Sequence, residues 1–148
     1  MRPILLAIAT LMPFAAPAFA DQSDPRLERL FHQLSAVRTA PEAAVIEAQI
    51  NGIWLKSGSD TIDVLMSRAQ VAVEAQDLAT AKKLLDAAAE MKPDYAEVWY
   101  RRAELLLAMD SQQEAAADLE KVIDLEPRHF KAFAVILQAQ NDFRIFDV

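Results

Sequence analysis

Pro93 and Pro127 stand 34 residues apart, and the residues around them repeat at the same distance. Ala69 corresponds to Ala103, Ala81 to Ala115, Leu85 to Leu119 and Ala88 to Val122. A fixed offset of small and apolar positions means one supersecondary unit built twice, each copy burying its apolar face against the next. With the prolines as a common mark, the units run over residues 62–95 and 96–129 without a gap. Proline cannot donate a backbone hydrogen bond and pushes the residue before it out of the helical region. LEPRHF, residues 125–130, therefore reads as a helix end, a turn and a new helix beginning at Phe130, rather than as an active-site fragment. Arg128 and His129 fall in that turn.

The units are helical. The chain has only two glycines, Gly52 and Gly58, and is rich in Ala, Leu, Glu and Gln, whose side chains lose little freedom in a helix. An all-α fold follows. In the second unit Trp99, Tyr100, Ala103, Leu106, Ala115, Leu119, Val122 and Pro127 fall at positions 4, 5, 8, 11, 20, 24, 27 and 32. This pattern closely resembles the tetratricopeptide repeat, of helix-turn-helix plan and 34-residue period. The resemblance implies a superhelix of antiparallel helix pairs, an α-solenoid. Ala103 and Ala115 would let two helices approach closely, with Trp99, Leu106 and Leu119 filling the space between them. The first unit has Leu65 at the aromatic position and keeps Ala69, Ala81, Leu85, Ala88 and Pro93.

Arg68 and Arg102 occupy position 7, also 34 apart, where the family pattern is apolar. Two readings stand. Either each arginine packs its stem and extends its charge to solvent, or each pairs across the hairpin, Arg68 with Asp86 and Arg102 with Asp118.

Residues 21–61 keep the helix-pair plan without the signature residues. Asp24-Pro25 suits a helix start, followed by Leu27, Leu30, Phe31 and Leu34 at helical spacing. Thr39 and Glu42 read as a capping box before Ile46, Ile50, Ile53 and Trp54. The segment is a divergent first repeat that also caps the array. Asp60 and Asp94 each precede a unit and are placed to cap it, whereas Arg128 takes that place before Phe130, so the last helix is expected to begin uncapped. That C-terminal helix, residues 130–148, carries Phe130, Phe133, Ile136, Leu137 and Phe143 without a partner helix. It may be read as folding on the last repeat, pairing with another copy, or belonging to a shortened array.

Residues 1–20 have one basic residue, Arg2, then an apolar run, Pro13, Pro17 and a closing Ala18-Phe19-Ala20. This is the plan of a signal peptide cleaved after Ala20. The alternative, an uncleaved anchor, is opposed by the two prolines and by a run short of the ~20 residues a span needs. With Cys 0 there is neither a lipid-modified cysteine nor a disulfide framework. The expected location is the periplasm, or the secreted fraction, with no stable membrane insertion after cleavage. The formal net charge of −7 becomes one unit more negative without Arg2. Nucleic acid and anionic headgroups are thereby disfavoured, and basic protein segments attracted.

Catalysis is not expected. His32 and His129 are the only histidines, no zinc spacing or phosphate loop occurs, and Ser57-Gly58-Ser59 ends a helix instead of joining a strand to one. No metal or cofactor is expected either. The resemblance, to small exported tetratricopeptide-repeat proteins of Gram-negative bacteria, implies protein–protein interaction through a concave groove. It assigns that groove to positions 2, 5, 9 and 12, which are Asp63, Met66, Gln70 and Val73, then Glu97, Tyr100, Glu104 and Leu107. Met66 and Tyr100 read equally as packing residues. An acidic, partly apolar lining suits a peptide segment that is basic with apolar anchors. The competing class is self-assembly, a homo-oligomer joined through residues 130–148.

Overall fold

The structure, a computed structural model, describes residues 21–144. The leader expected at residues 1–20 and the last four residues of the C-terminal segment lie outside them. The described residues form seven helices and no strand: α1 Arg26–Ala36, α2 Ala40–Trp54, α3 Asp60–Glu74, α4 Leu78–Met91, α5 Ala96–Ala108, α6 Gln112–Leu125 and α7 Phe130–Arg144.

Helices α3 and α4 form one pair, α5 and α6 the next, and α4 packs against α5. The small residues sit where close approach requires them: Ala81, Ala88, Ala103 and Ala115 are wholly buried. One core gathers Ile62, Ala69, Leu85, Tyr95, Val98 and Leu105; the next gathers Tyr100, Leu106, Leu119, Val122 and Ala132 of α7. Trp99 belongs to both and donates its indole N–H to the Pro93 carbonyl at 3.0 Å.

The turns repeat with the cores. At the end of α3 Gln76 adopts φ 59°, and at the end of α5 Asp110 adopts φ 61°. Behind each, the next amide reaches back to close the helix: Asp77 N–H to the Ala72 carbonyl at 2.9 Å, and Ser111 N–H to the Leu106 carbonyl at 2.8 Å. This is the left-handed termination that satisfies the last free carbonyls of a helix. The proline turns are equally alike. Lys92 and Glu126, each before a proline, leave the helical region at φ −137°, and Tyr95 N–H bonds the Lys92 carbonyl as His129 N–H bonds that of Glu126.

Several caps differ from expectation. Thr39 stands at the start of α2 and Ser59 at the start of α3, neither with a side-chain cap bond. Asp60 is the first residue of α3, and its expected job passes to Asp63, whose Oδ1 accepts from Ser57 N–H at 2.9 Å and Ser57 Oγ at 2.7 Å. Asp94 makes no cap for α5, which begins behind Tyr95. Conversely α7 does have a cap, because His129 Nδ1 accepts the Ala132 amide at 3.2 Å. An imidazole acceptor three residues before the donor does the work of an aspartate there.

The arginine question divides. Arg102 grips Asp118 with two bonds of 2.7 Å and reaches Asp86 at 3.1 Å, its guanidinium 4.6 Å from the Trp99 ring centre. Arg68 is exposed and makes no ion pair among the described residues. Asp86 is instead shared by Lys82 and Arg102.

Helices α1 and α2 pair through Leu27, Leu30, Ile50, Ile53 and Trp54. They do not prolong the stack as a regular first repeat, since α2 does not lie along α3. Its C-terminal end meets the opposite side of the array at Tyr95, His129 and Phe130.

Candidate partner-binding groove

Two stretches of the concave side differ in access. The first is an open cleft of about 750 Å³ between α3 and α5. Met66, Ala69, Val73, Leu85, Leu105 and Ala108 give it an apolar floor. Gln70, Val71, Arg101 and Glu104 stand along its walls, and Leu55 and Lys56, just after α2, close one end. Five of the eight groove residues expected from sequence line it: Asp63, Met66, Gln70, Val73 and Glu104. Asp63 is occupied by Ser57, and Gln70 donates to Glu74 at 3.0 Å.

The polar wall is internally tied. Tyr100 donates its hydroxyl to Glu104 at 2.8 Å, and Arg101 bonds Glu97 at 2.8 Å while lying 3.6 Å from Glu104. Burial works against the Arg101 charge, yet the carboxylates of Glu97 and Glu104 outweigh it and hold the guanidinium above its ordinary range. Burial, reinforced by the Glu104 carboxylate, pushes the Tyr100 phenol well above its usual value.

The second stretch is covered. Glu97 and Tyr100 are only 3% and 4% exposed, and neither lines the cleft. Leu107 is half-buried against the core shared with α6 and α7. Sequence reasoning placed these three in an accessible groove because helical phase puts them on the concave side. It had no signal for what lies over Glu97 and Tyr100. That cover is Trp54 and His129, whose rings stack at 4.3 Å between centres and 5° between planes, with Tyr100 tilted against the imidazole at 4.7 Å. Because the Ala132 amide fixes Nδ1 as acceptor, Nε2 carries the hydrogen and faces Glu97 Oε2 at 3.3 Å. His129 is fully buried and serves as a structural tie.

With two superposable helix hairpins on a 34-residue period, a family match decides the relationship. The family model described as tetratricopeptide repeat matches residues 96–129. A TPR repeat-containing protein of Rhizobium etli is 40% identical over 121 residues, 79% of this chain and 59% of that protein. The chain is a tetratricopeptide-repeat protein. It spans 59% of the length of the curated relative it matches. No solved structure matches the chain. Proteins built from tetratricopeptide repeats are generally non-enzymatic scaffolds that bind other proteins.

Proposed function

We propose that this tetratricopeptide-repeat protein is an exported, periplasmic scaffold or adaptor that binds a partner segment in the cleft between α3 and α5. The observation that carries the reading is that cleft: an open trough with a continuous apolar floor, about the volume a few side chains of a docked segment fill. Asp63 and Glu104 on its walls and the net charge of −7 favour a segment with basic residues between apolar anchors. Non-catalytic action agrees with the general behaviour of the family. Residues 1–20 supply export, with cleavage after Ala20.

The test compares immobilised wild-type chain with Met66→Arg and Glu104→Lys variants for capture from the exported protein fraction. A partner held by the wild type and lost from both variants supports the cleft; equal capture by all three removes it. N-terminal sequencing of the protein recovered from cells decides the leader, with Asp21 as the expected first residue.

A second reading, self-assembly through residues 130–148, draws on the exposure of Phe133 and Leu137, 43% and 60%, on α7. Sedimentation of the chain with and without those residues tests it, and a full-length chain that is monomeric at all concentrations removes it.

A further inference from the structure

The covered stretch of the concave side is filled by the chain itself. Ile50, Ile53 and Trp54 stand at i, i+3 and i+4 on α2 and are buried, while Val45 on another face of the same helix is 60% exposed. That is how an amphipathic helix lies in a groove of another protein. The indole rests on His129 and meets Phe130 at 5.2 Å, and the backbone carbonyl of Trp54 receives the Tyr95 hydroxyl at 2.6 Å. The rim of this site is basic where the occupant is acidic: Arg128 pairs with Glu28 at 2.9 Å and Lys92 with Asp21 at 3.1 Å.

The fit is incomplete. Trp54 Nε1 is buried without a hydrogen-bond partner, so docking leaves a donor unsatisfied. Glu28 is 86% exposed along its side chain, which makes its ion pair weak. The pair is joined to the array through residues 55–59, containing Gly58 at φ 75°, and α2 does not lie along α3. The α3–α6 stack keeps its own cores when the pair leaves.

We propose that α1–α2 is a tethered occupant of the concave face, and that the partner replacing it is an amphipathic helix of the same chemistry. Such a helix carries branched aliphatic side chains at i and i+3, an aromatic at i+4, and acidic residues on the edge that meets Lys92 and Arg128. The inference rests on the concave-face reading above but concerns a different stretch of it, Glu97, Tyr100 and His129 instead of the Met66 cleft.

The absence of native cysteine permits a specific lock. Glu28→Cys and Arg128→Cys are combined in the chain beginning at Asp21, and the two thiols are joined by a bifunctional reagent of matching reach. The probe is a fluorescent synthetic peptide of residues 21–56. The unbridged variant is expected to bind it, and bridging is expected to weaken binding about tenfold or more, because only the open fraction accepts the peptide. Glu28→Arg in an otherwise unaltered chain sets like charges together and is expected to tighten binding. A peptide with Trp54→Ala is expected not to bind. Equal binding by bridged and unbridged chains overturns the proposal, as does absence of binding to an unbridged chain whose circular dichroism remains helical. Neither outcome bears on Met66-dependent capture, so the two readings fail separately.

Discussion

Tyr95 donates its hydroxyl to the backbone carbonyl of Trp54 across 2.6 Å, both residues being almost fully buried. The bond ties the end of α2 to the turn before α5 and satisfies a carbonyl that the helix end leaves free. Tyr95→Phe keeps the ring and orphans that carbonyl. The expected loss is about 1–3 kcal/mol, read as a lower urea midpoint with an unchanged slope. A midpoint equal to wild type would show that the carbonyl finds water instead.

The same phenol predicts a limit at alkaline pH. Burial, and after it the charge of Glu97, raises Tyr95 far above its ordinary value, and Tyr100 shifts the same way. The folded chain therefore keeps protons that the unfolded chain releases near pH 10. The stability this contributes is complete below about pH 10 and drains away as pH rises above it. Thermal midpoints across the alkaline range should fall progressively past that point, and Tyr95→Phe should flatten the decline. A flat profile to strongly alkaline pH would contradict the burial of both hydroxyls.

Arg102 and Arg68 occupy equivalent positions with opposite surroundings. The Asp118 hydrogen bond, against the cost of burial, holds Arg102 above its ordinary range, and the Asp118 side chain is only 6% exposed. Arg102→Met leaves that carboxylate without its cation. The expected loss is about 2–3 kcal/mol, below the about 3–5 kcal/mol of a fully buried pair because the guanidinium keeps 22% exposure. Arg68→Met, on an exposed side chain, is expected to stay within about 0.5 kcal/mol. Unfolding by denaturant checks both, and equal losses would mean the ion network contributes nothing.

The difference between these arginines marks what the sequence could convey. The period, helix pairing and alanine contacts were legible because they recur within 34 residues and depend on volume alone. Arg102's bond to Asp118 was one of two readings, since helical phase places the pair together but does not say which side chain reaches. The place of α1–α2 was not legible. Trp54 meets His129 from 75 residues away, and neither residue has a repeat equivalent to announce the contact. His129 consequently looked like a lone turn residue, although it caps α7 and fills the covered face. Met66, Gln70, Val73 and Glu104 were placed by phase and line the open cleft; Glu97 and Tyr100 were placed by the same phase and lie under Trp54.

Gln76 and Asp110, again 34 apart, hold the left-handed conformation at the ends of α3 and α5. A side chain in that region costs about 1–2 kcal/mol relative to the ordinary helical one, and the repeat bears the cost twice to close its helices. Glycine adopts the conformation without that penalty, but it also widens the unfolded ensemble, which takes back part of the gain. Gln76 is the better site, since its amide makes only a 3.4 Å contact to the Val73 carbonyl on the surface. Gln76→Gly is expected to raise stability by up to about 1 kcal/mol, and Gly58→Ala, placed at φ 75° in the loop before α3, to lower it by a similar amount. Both are read from thermal midpoints. Since the loop joins the tethered pair to the array, Gly58→Ala should also alter binding of the 21–56 peptide, whereas Gln76→Gly should leave it unchanged. A glycine at position 76 that destabilises would place the stored strain elsewhere in the turn.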